Sequence, residues 1–242
     1  TLAARAPSAL RRLGPVLAMI DLVCATRMSP EEFWSKGALG LSLRRLHHES
    51  RLRPRIYFEN KLGLPLLYNQ RIVVEDASPV MAFIHDDVWI DDHFFFEHVM
   101  AGVTAYDVIG VAGNRRRLPG QPSWAFANLK FEWDDRSQLS GAVAHGPSAF
   151  GPVSAFGPTP ADCELLDGVL LAAKREVLLR TGLRFDERFE FHFYDMDFCR
   201  SARAAGLRVG TWPIALTHQS EGGFSSNGWV QSYQRYIGKW GD

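Results

Sequence analysis

The 242-residue chain has no excess of either charge: 27 Lys and Arg face 27 Asp and Glu. No bulk field therefore draws it to nucleic acid or to an anionic membrane. Cysteine is scarce. Cys24, Cys163 and Cys199 are an odd number, far apart and without a C-x-x-C spacing, which excludes a disulfide framework and a cysteine zinc site and suits a reducing compartment. No apolar run approaches the roughly 20 residues that span a bilayer, and there is no repeat or low-complexity tract. The stretch Arg11–Ala25 has the basic and apolar order of a signal peptide, but Asp21 interrupts it, so it reads as a basic lead-in to a buried strand. The chain does not begin with Met and closes on Gly241-Asp242 just after an aromatic segment, as expected of a piece of a longer protein.

What is present is globular. Apolar residues make up 46% and charged residues 22%, enough for one large domain or two intimate halves. After a basic arm over residues 1–18, Met19–Ala25 reads as a buried strand. Ser29-Pro30-Glu31-Glu32 is a helix start, with Ser at the N-cap and Pro at N1, for a helix running to about Leu46. A strand at Arg55–Phe58, a helix at Leu64–Val74 and a strand at Val80–Ile84 follow. This alternation predicts a parallel, doubly wound sheet, whose ligands bind beyond the carboxyl ends of the strands. The polar ends Thr26-Arg27, Glu59-Asn60 and His85-Asp86-Asp87 should then converge on one crevice. A fourth strand is expected at Val108–Ala112. From Leu118 to Pro160 the texture is Gly, Pro, Ser and aromatics; Lys130–Trp133 and Ala142–Ala144 could pair there as a hairpin. Further on come a strand at Val169–Ala172, helices at about Lys174–Thr181 and Met196–Ala205, a strand at Arg208–Trp212 and an aromatic helix from Trp229 to Trp240.

Two clusters carry chemistry. In F-I-H-D-D-V-W-I-D-D-H, strand alternation puts His85 and Asp87 on one face and Asp86 on the other. Charges ending an apolar strand are costly unless paired or bound to a metal, and a carboxylate there suits Mg²⁺ or Mn²⁺ carrying substrate phosphates; a solvated, helix-capping turn is the alternative. Asp91 and Asp92 read as caps of a helix starting near His93. In F-E-F-H-F-Y-D-M-D-F-C, Asp195 lies at or just before a helix N-terminus, which favours its ionised form and lets it act as a general base. N-capping is the alternative for Asp195 and the preferred reading of Asp197. His218, taken alone, reads as structural more readily than as a ligand, and the Gly-Gly that follows it suits a hinge or lid.

The ordered set L-D-G-V-L-L-A-A-K-R-E-V-L-L-R-T-G-L-R-F-D-E-R-F, F-Y-D-M-D-F-C-R-S-A-R-A-A-G-L-R-V and T-H-Q-S, with H-D-D-V upstream, resembles the GT-A-fold nucleotide-sugar glycosyltransferases of the family 2 type over about residues 19–224. The resemblance implies an α/β fold of GT-A type: a Rossmann-like, doubly wound mixed sheet flanked by helices. Residues 19–115 would form the nucleotide-sugar half, 116–224 the acceptor and catalytic half, and 225–242 a C-terminal helix. It implies Asp87 as the acid that bridges a Mn²⁺ or Mg²⁺ cofactor to the donor diphosphate, His218 as a later metal ligand, and His85 in place of the motif's first aspartate. Asp86 would approach the donor ribose or sugar; Ala25, Thr26, Arg27 and Glu59 the nucleoside; and Asn69 the donor. Asp195 matches the catalytic base, with Tyr194 in place of the usual preceding glutamate, and Asp167 and Gly168 fall where acceptor meets donor sugar. Trp124, Trp133 and Phe131 could supply stacking surfaces.

The implied reaction is inverting transfer from a UDP- or GDP-type sugar to a saccharide, lipid-linked or protein hydroxyl, by a cytoplasmic or membrane-peripheral enzyme without a nucleic-acid partner; an oligomer or a further domain is compatible with the two ends. A non-catalytic sugar- or nucleotide-binding module of the same fold, and a metal-dependent phosphohydrolase, are the competing readings.

Overall fold

A computed structural model describes residues 18–220 and 223–242. The basic arm therefore lies outside the described residues except for Ala18, as does Gly222 of the glycine pair. The first apolar run forms β1 (Ile20–Ala25), paired in parallel with β2 (Leu52–Tyr57) on one side and β3 (Val80–Ile84) on the other. Strands covered on both faces need no alternation, which is why β3 reads as an unbroken apolar stretch and β1 as one interrupted only by Asp21. Between β1 and β2 the Ser29 hydroxyl accepts from the Glu32 N–H while the Glu32 carboxylate accepts from the Ser29 N–H, a reciprocal cap.

The single helix expected from there to Leu46 is two, α1 (Pro30–Lys36) and α2 (Ala38–Arg45). Gly37 breaks it by turning to an extended conformation (φ −67°, ψ 136°). A Cβ at Gly40 would stand 2.0 Å from the Phe33 carbonyl oxygen, so the second helix folds back to within backbone contact of the first. The helix α3 (Leu64–Val73) matches its expected span.

Beyond β3 the chain leaves the sheet. His85, Asp86 and Asp87 form a turn, and the next strand, β4 (Val88–Ile90), belongs to a second sheet. The helix α4 (Phe95–Ala105) follows. The strand expected at Val108–Ala112 then divides in the same way, into β5 (Val108–Gly110) in the first sheet and β6 (Ala112–Asn114) in the second. In the Gly- and Pro-rich stretch, β7 (Leu139–His145) pairs antiparallel with β8 (Val153–Gly157). The hairpin between Lys130–Trp133 and Ala142–Ala144 does not form; Trp133 makes one isolated bridge, to Phe126.

Short strands β9 (Ala161–Asp162) and β10 (Leu165–Leu166) lead to β11 (Leu170–Lys174) and α5 (Arg175–Thr181). The chain closes with α6 (Tyr194–Ala204), β12 (Val209–Thr211), β13 (Leu216–His218) and α7 (Asn227–Trp240). The first sheet has the order β2-β1-β3-β11-β5-β12-β9 and the second β10-β6-β7-β13-β4, with β8 on β7. The first sheet is mixed: β11 runs antiparallel to both β3 and β5, whereas β12 is parallel to β5.

One buried apolar cluster runs from Ile20 to Tyr236. Its charged inclusions are paired: Asp21, fully buried in β1, accepts from Arg71 Nε (2.7 Å) and from the Ser78 hydroxyl (2.7 Å), as burial of a charge requires.

Candidate active site

A cavity of about 580 Å³ opens at the carboxyl ends of β1 and β3, the position at which open α/β sheets bind ligands. One side of it is polar. Because the turn after β3 carries the chain from the first sheet to the second, it meets the end of β13. There Asp87 Oδ1 lies 3.3 Å from His218 Nε2 and 4.0 Å from His85 Nδ1. The three residues offer ligand atoms within 4.8 Å of one another. Bonds of roughly 2.0–2.2 Å to one cation permit ligand separations up to roughly 4.4 Å, so two of these distances already fit a shared ion, and an imidazole–carboxylate–imidazole set suits a divalent metal. Burial pushes the Asp87 carboxyl up, but the hydrogen bond and charge of His218, with the charge of His85, outweigh it and hold the group at about 2. For His218, burial works downward and Asp87 upward, with a net rise; for His85 burial prevails and the pKa falls.

His85 is held from two sides. Its ring stacks on Phe191 (centroids 5.9 Å apart, planes at 24°), and its Nε2 lies 2.8 Å from the Tyr194 hydroxyl. That hydroxyl donates to the Gly168 carbonyl (2.9 Å), and the Gly168 N–H donates to Asp195 Oδ2 (2.9 Å). A Cβ on Gly168 would lie 2.5 Å from the Tyr194 hydroxyl oxygen and 3.0 Å from Asp195 Cβ, so only glycine fits between them. Asp195 occupies the first turn of α6, where its Oδ1 also accepts from the Met196 N–H (2.8 Å). Burial, with the nearby negative charge of Asp167, raises its carboxyl to about 7 against the pull of these backbone donors. Asp167 accepts from the Trp124 indole (2.8 Å) and the Val169 N–H (2.9 Å). The residue before α6, Phe193, has a left-handed backbone (φ 66°), a strained conformation of the kind that clusters at functional sites.

Much of the remaining lining is aromatic, with Trp124, Phe126, Trp133, Phe156, Phe224 and Trp229. Trp133 is 57% exposed and stacks on Phe156.

The expected site residues divide accordingly. Ala25, His85, Asp86, Asp87, Trp124, Asp167, Asp195 and His218 line the cavity, and Gly168 bonds to Asp195 beneath it. Thr26, Arg27 and Glu59 lie beside Ala25 at the ends of β1 and β2 but do not line it. The Thr26 hydroxyl accepts from the Met28 N–H, and Glu59 has a left-handed φ of 47°. Asn69 is not brought to the cavity. Its side chain donates to the Phe185 carbonyl (2.8 Å) and Glu187 (3.0 Å) and accepts from the Phe185 N–H (2.9 Å), tying α3 to the segment before α6. Phe131 packs behind the aromatic lining on Phe126, Phe224 and Trp229.

Two capping expectations change. Asp91 accepts from the Phe150 N–H and the Thr217 hydroxyl, leaving Asp92 to accept from the Phe94 N–H (2.8 Å) at the start of α4. Asp197 is not a cap but a fully buried acceptor for Lys239 Nζ (2.7 Å) and the Trp240 indole (2.9 Å) of α7. Sequence reasoning did not identify Phe191, His145 and Ser220 as cavity residues, and it saw Tyr194 only as a departure from a motif. The alternating aromatics around His192 were the available signal for Phe191.

No family model matches the chain, and no curated protein matches it. Solved structures do. The structure of GalNAc-T7 with UDP, GalNAc and Mn²⁺ superposes with a TM-score of 0.54 at 10% identity, covering 93% of this chain and 49% of that one. TarS of S. aureus gives 0.49 at 10% identity, over 90% of this chain and 39% of that one. The catalytic domain of Drosophila β1,4-galactosyltransferase 7 with xylobiose gives 0.48 at 10% identity, over 89% and 79%. The chain thus spans about half the length of the GalNAc-T7 structure. With the first of these superpositions, the chain has the GT-A glycosyltransferase fold. Among the described residues no helix is long and apolar enough to cross a membrane.

Proposed function

We propose that the chain is a metal-dependent, inverting glycosyltransferase that moves a sugar from a UDP- or GDP-type donor to an acceptor hydroxyl. The observation that carries this reading is the pairing within one cavity: a His85–Asp87–His218 group, and beside it a carboxylate, Asp195, poised at about 7. Bound there, Mn²⁺ or Mg²⁺ would act as a Lewis acid toward the negative charge that develops on a departing nucleoside diphosphate. The chain's own residues do the rest. Asp87, His85 and His218 hold the ion; Asp86 and Ala25, with Thr26, Arg27 and Glu59 at the adjoining strand ends, receive the ribose and base. Asp195 accepts the proton of the attacking hydroxyl at its cavity-facing carboxylate, a role that needs a pKa near the working pH. One base working on the face opposite the leaving group gives inversion at the anomeric carbon. Asp167 holds the Trp124 indole in place, and Trp124 and Trp133 offer flat apolar faces to the acceptor.

GalNAc-T7 was solved with UDP and Mn²⁺, which favours UDP as the first donor nucleotide to try. The acceptor is a saccharide, lipid-linked or protein hydroxyl. Three free, buried cysteines accord with a reducing compartment, and a cytoplasmic or membrane-peripheral location is part of the same reading.

The test is calorimetric titration of UDP, GDP, CDP and dTDP, each with Mn²⁺ and with EDTA. Metal-dependent binding of one nucleotide is expected. Folded protein that binds none of them under either condition would sink the assignment. Sugar transfer unchanged in D195N would leave a nucleotide-sugar site without the base proposed for it.

A further inference from the structure

Two positions that depart from the glycosyltransferase motifs, His85 and Tyr194, touch each other (2.8 Å). We infer that Tyr194 is a positioning residue that fixes the tautomer of His85, leaving Nδ1 free as a metal ligand. The inference rests on the metal-site reading above and adds to it a residue outside the ligand set.

Proton counting carries it. A tyrosine hydroxyl has one hydrogen to give, and a carbonyl oxygen can only accept. The buried Gly168 carbonyl has the Tyr194 hydroxyl as its donor (2.9 Å), and a hydroxyl that donated to His85 instead would leave that carbonyl unpaired, at a cost of about 1–3 kcal/mol, so the hydrogen goes to Gly168. Toward His85 it can therefore only accept, so the neutral imidazole carries its proton on Nε2 and its lone pair on Nδ1. Nδ1 is the nitrogen that faces Asp87, 4.0 Å from Oδ1. The arrangement is rigid at both ends. Tyr194 is buried in the first turn of α6 with its ring among Tyr68 and Phe185, Gly168 has no room for a Cβ beneath the hydroxyl, and Phe191 stacks on the His85 ring. Metal-binding imidazoles commonly donate their second N–H to an oxygen acceptor that sets ring orientation and ligand basicity. Here that acceptor comes from the helix that also carries Asp195, so α6 holds both the metal ligand and the base.

The test uses the full chain and Y194F. In metal-free wild-type protein labelled with ¹⁵N-histidine, long-range ¹H–¹⁵N spectra are expected to show His85 with a protonated Nε2 and a bare Nδ1. In Y194F that preference should be lost, and Mn²⁺ affinity measured by calorimetry should fall about 10- to 100-fold, with far-UV circular dichroism unchanged. A wild-type His85 protonated on Nδ1 overturns the inference, and this result stands even if the variant does not fold. Y194F with a Mn²⁺ affinity within about threefold of wild type, well short of that second-shell range, also overturns it. Wild-type protein that binds no Mn²⁺ removes the inference and the metal-dependent reading together. Tautomer and affinity effects as expected, without sugar transfer from any donor, would remove the glycosyltransferase reading alone.

Discussion

At Asp195 two opposing effects meet. Burial and the charge of Asp167 push the carboxyl up to about 7, while the N–H groups of Gly168 and Met196 hold it down. A base must be deprotonated to work, so kcat/KM should rise with pH through about 7 and level off above it. D195N should lose roughly 10²- to 10⁴-fold in transfer rate while still binding the nucleotide. The same shift makes a stability prediction of definite sign. The folded protein binds this proton more tightly than the unfolded chain, whose carboxyl titrates at its ordinary value of 3.8. The stability it lends is whole below about pH 4, declines as pH rises, and is gone above about 7. D195N lacks this titration, so its melting temperature relative to wild type should climb between pH 4 and 7 and then stay constant; a flat difference would contradict the raised pKa. The sequence placed Asp195 correctly near a helix start but argued from that for an easily ionised group. The opposite shift comes from burial and from the charge of Asp167, 28 residues away in the chain, neither of which local pattern can register.

Elements with a strong period were legible: β1, β3, α3 and α5 appear within a residue or two of their expected spans. Those that were not share a cause. At Gly37 the apolar pattern continues across the break, and only the close approach of Gly40 to Phe33 shows why the chain turns. β4 and the division of β5 from β6 depend on which sheet supplies partners, a tertiary fact absent from three-residue segments. Asp197 shows the same limit: as an acid in a first helical turn it looks like a cap, yet it reaches Lys239 and Trp240 and fastens α7 to α6. D197A removes the acceptor of the Trp240 N–H and one of the two carboxylates on Lys239, whose ammonium keeps Asp186 (2.8 Å). A loss of roughly 1–3 kcal/mol is expected, seen as a lower urea midpoint. Mn²⁺ affinity should be nearly unchanged, because no metal ligand touches α7. A D197A protein as stable as wild type would mean that this contact does not hold the helix.

On the scale of the whole molecule, the candidate metal group spans the seam between the two sheets. His85 and Asp87 leave the end of β3 in the first sheet, and His218 ends β13 in the second. A cation held by all three would tie the sheets at one point, and any ion that binds the folded state but not the unfolded chain stabilises it by mass action. At free Mn²⁺ about 100 times its Kd the gain is about 2.7 kcal/mol, which for a chain of this size should raise Tm by roughly 5–11 °C. EDTA should abolish the rise, and H218A should lose most of it at that concentration. The control matters because exposed carboxylates elsewhere on the surface bind divalent ions weakly, and their contribution would survive the substitution. A Mn²⁺-dependent rise that persists undiminished in H218A would place the ion away from the seam, and the cavity would then have to hold a donor diphosphate without the site that makes its charge tolerable.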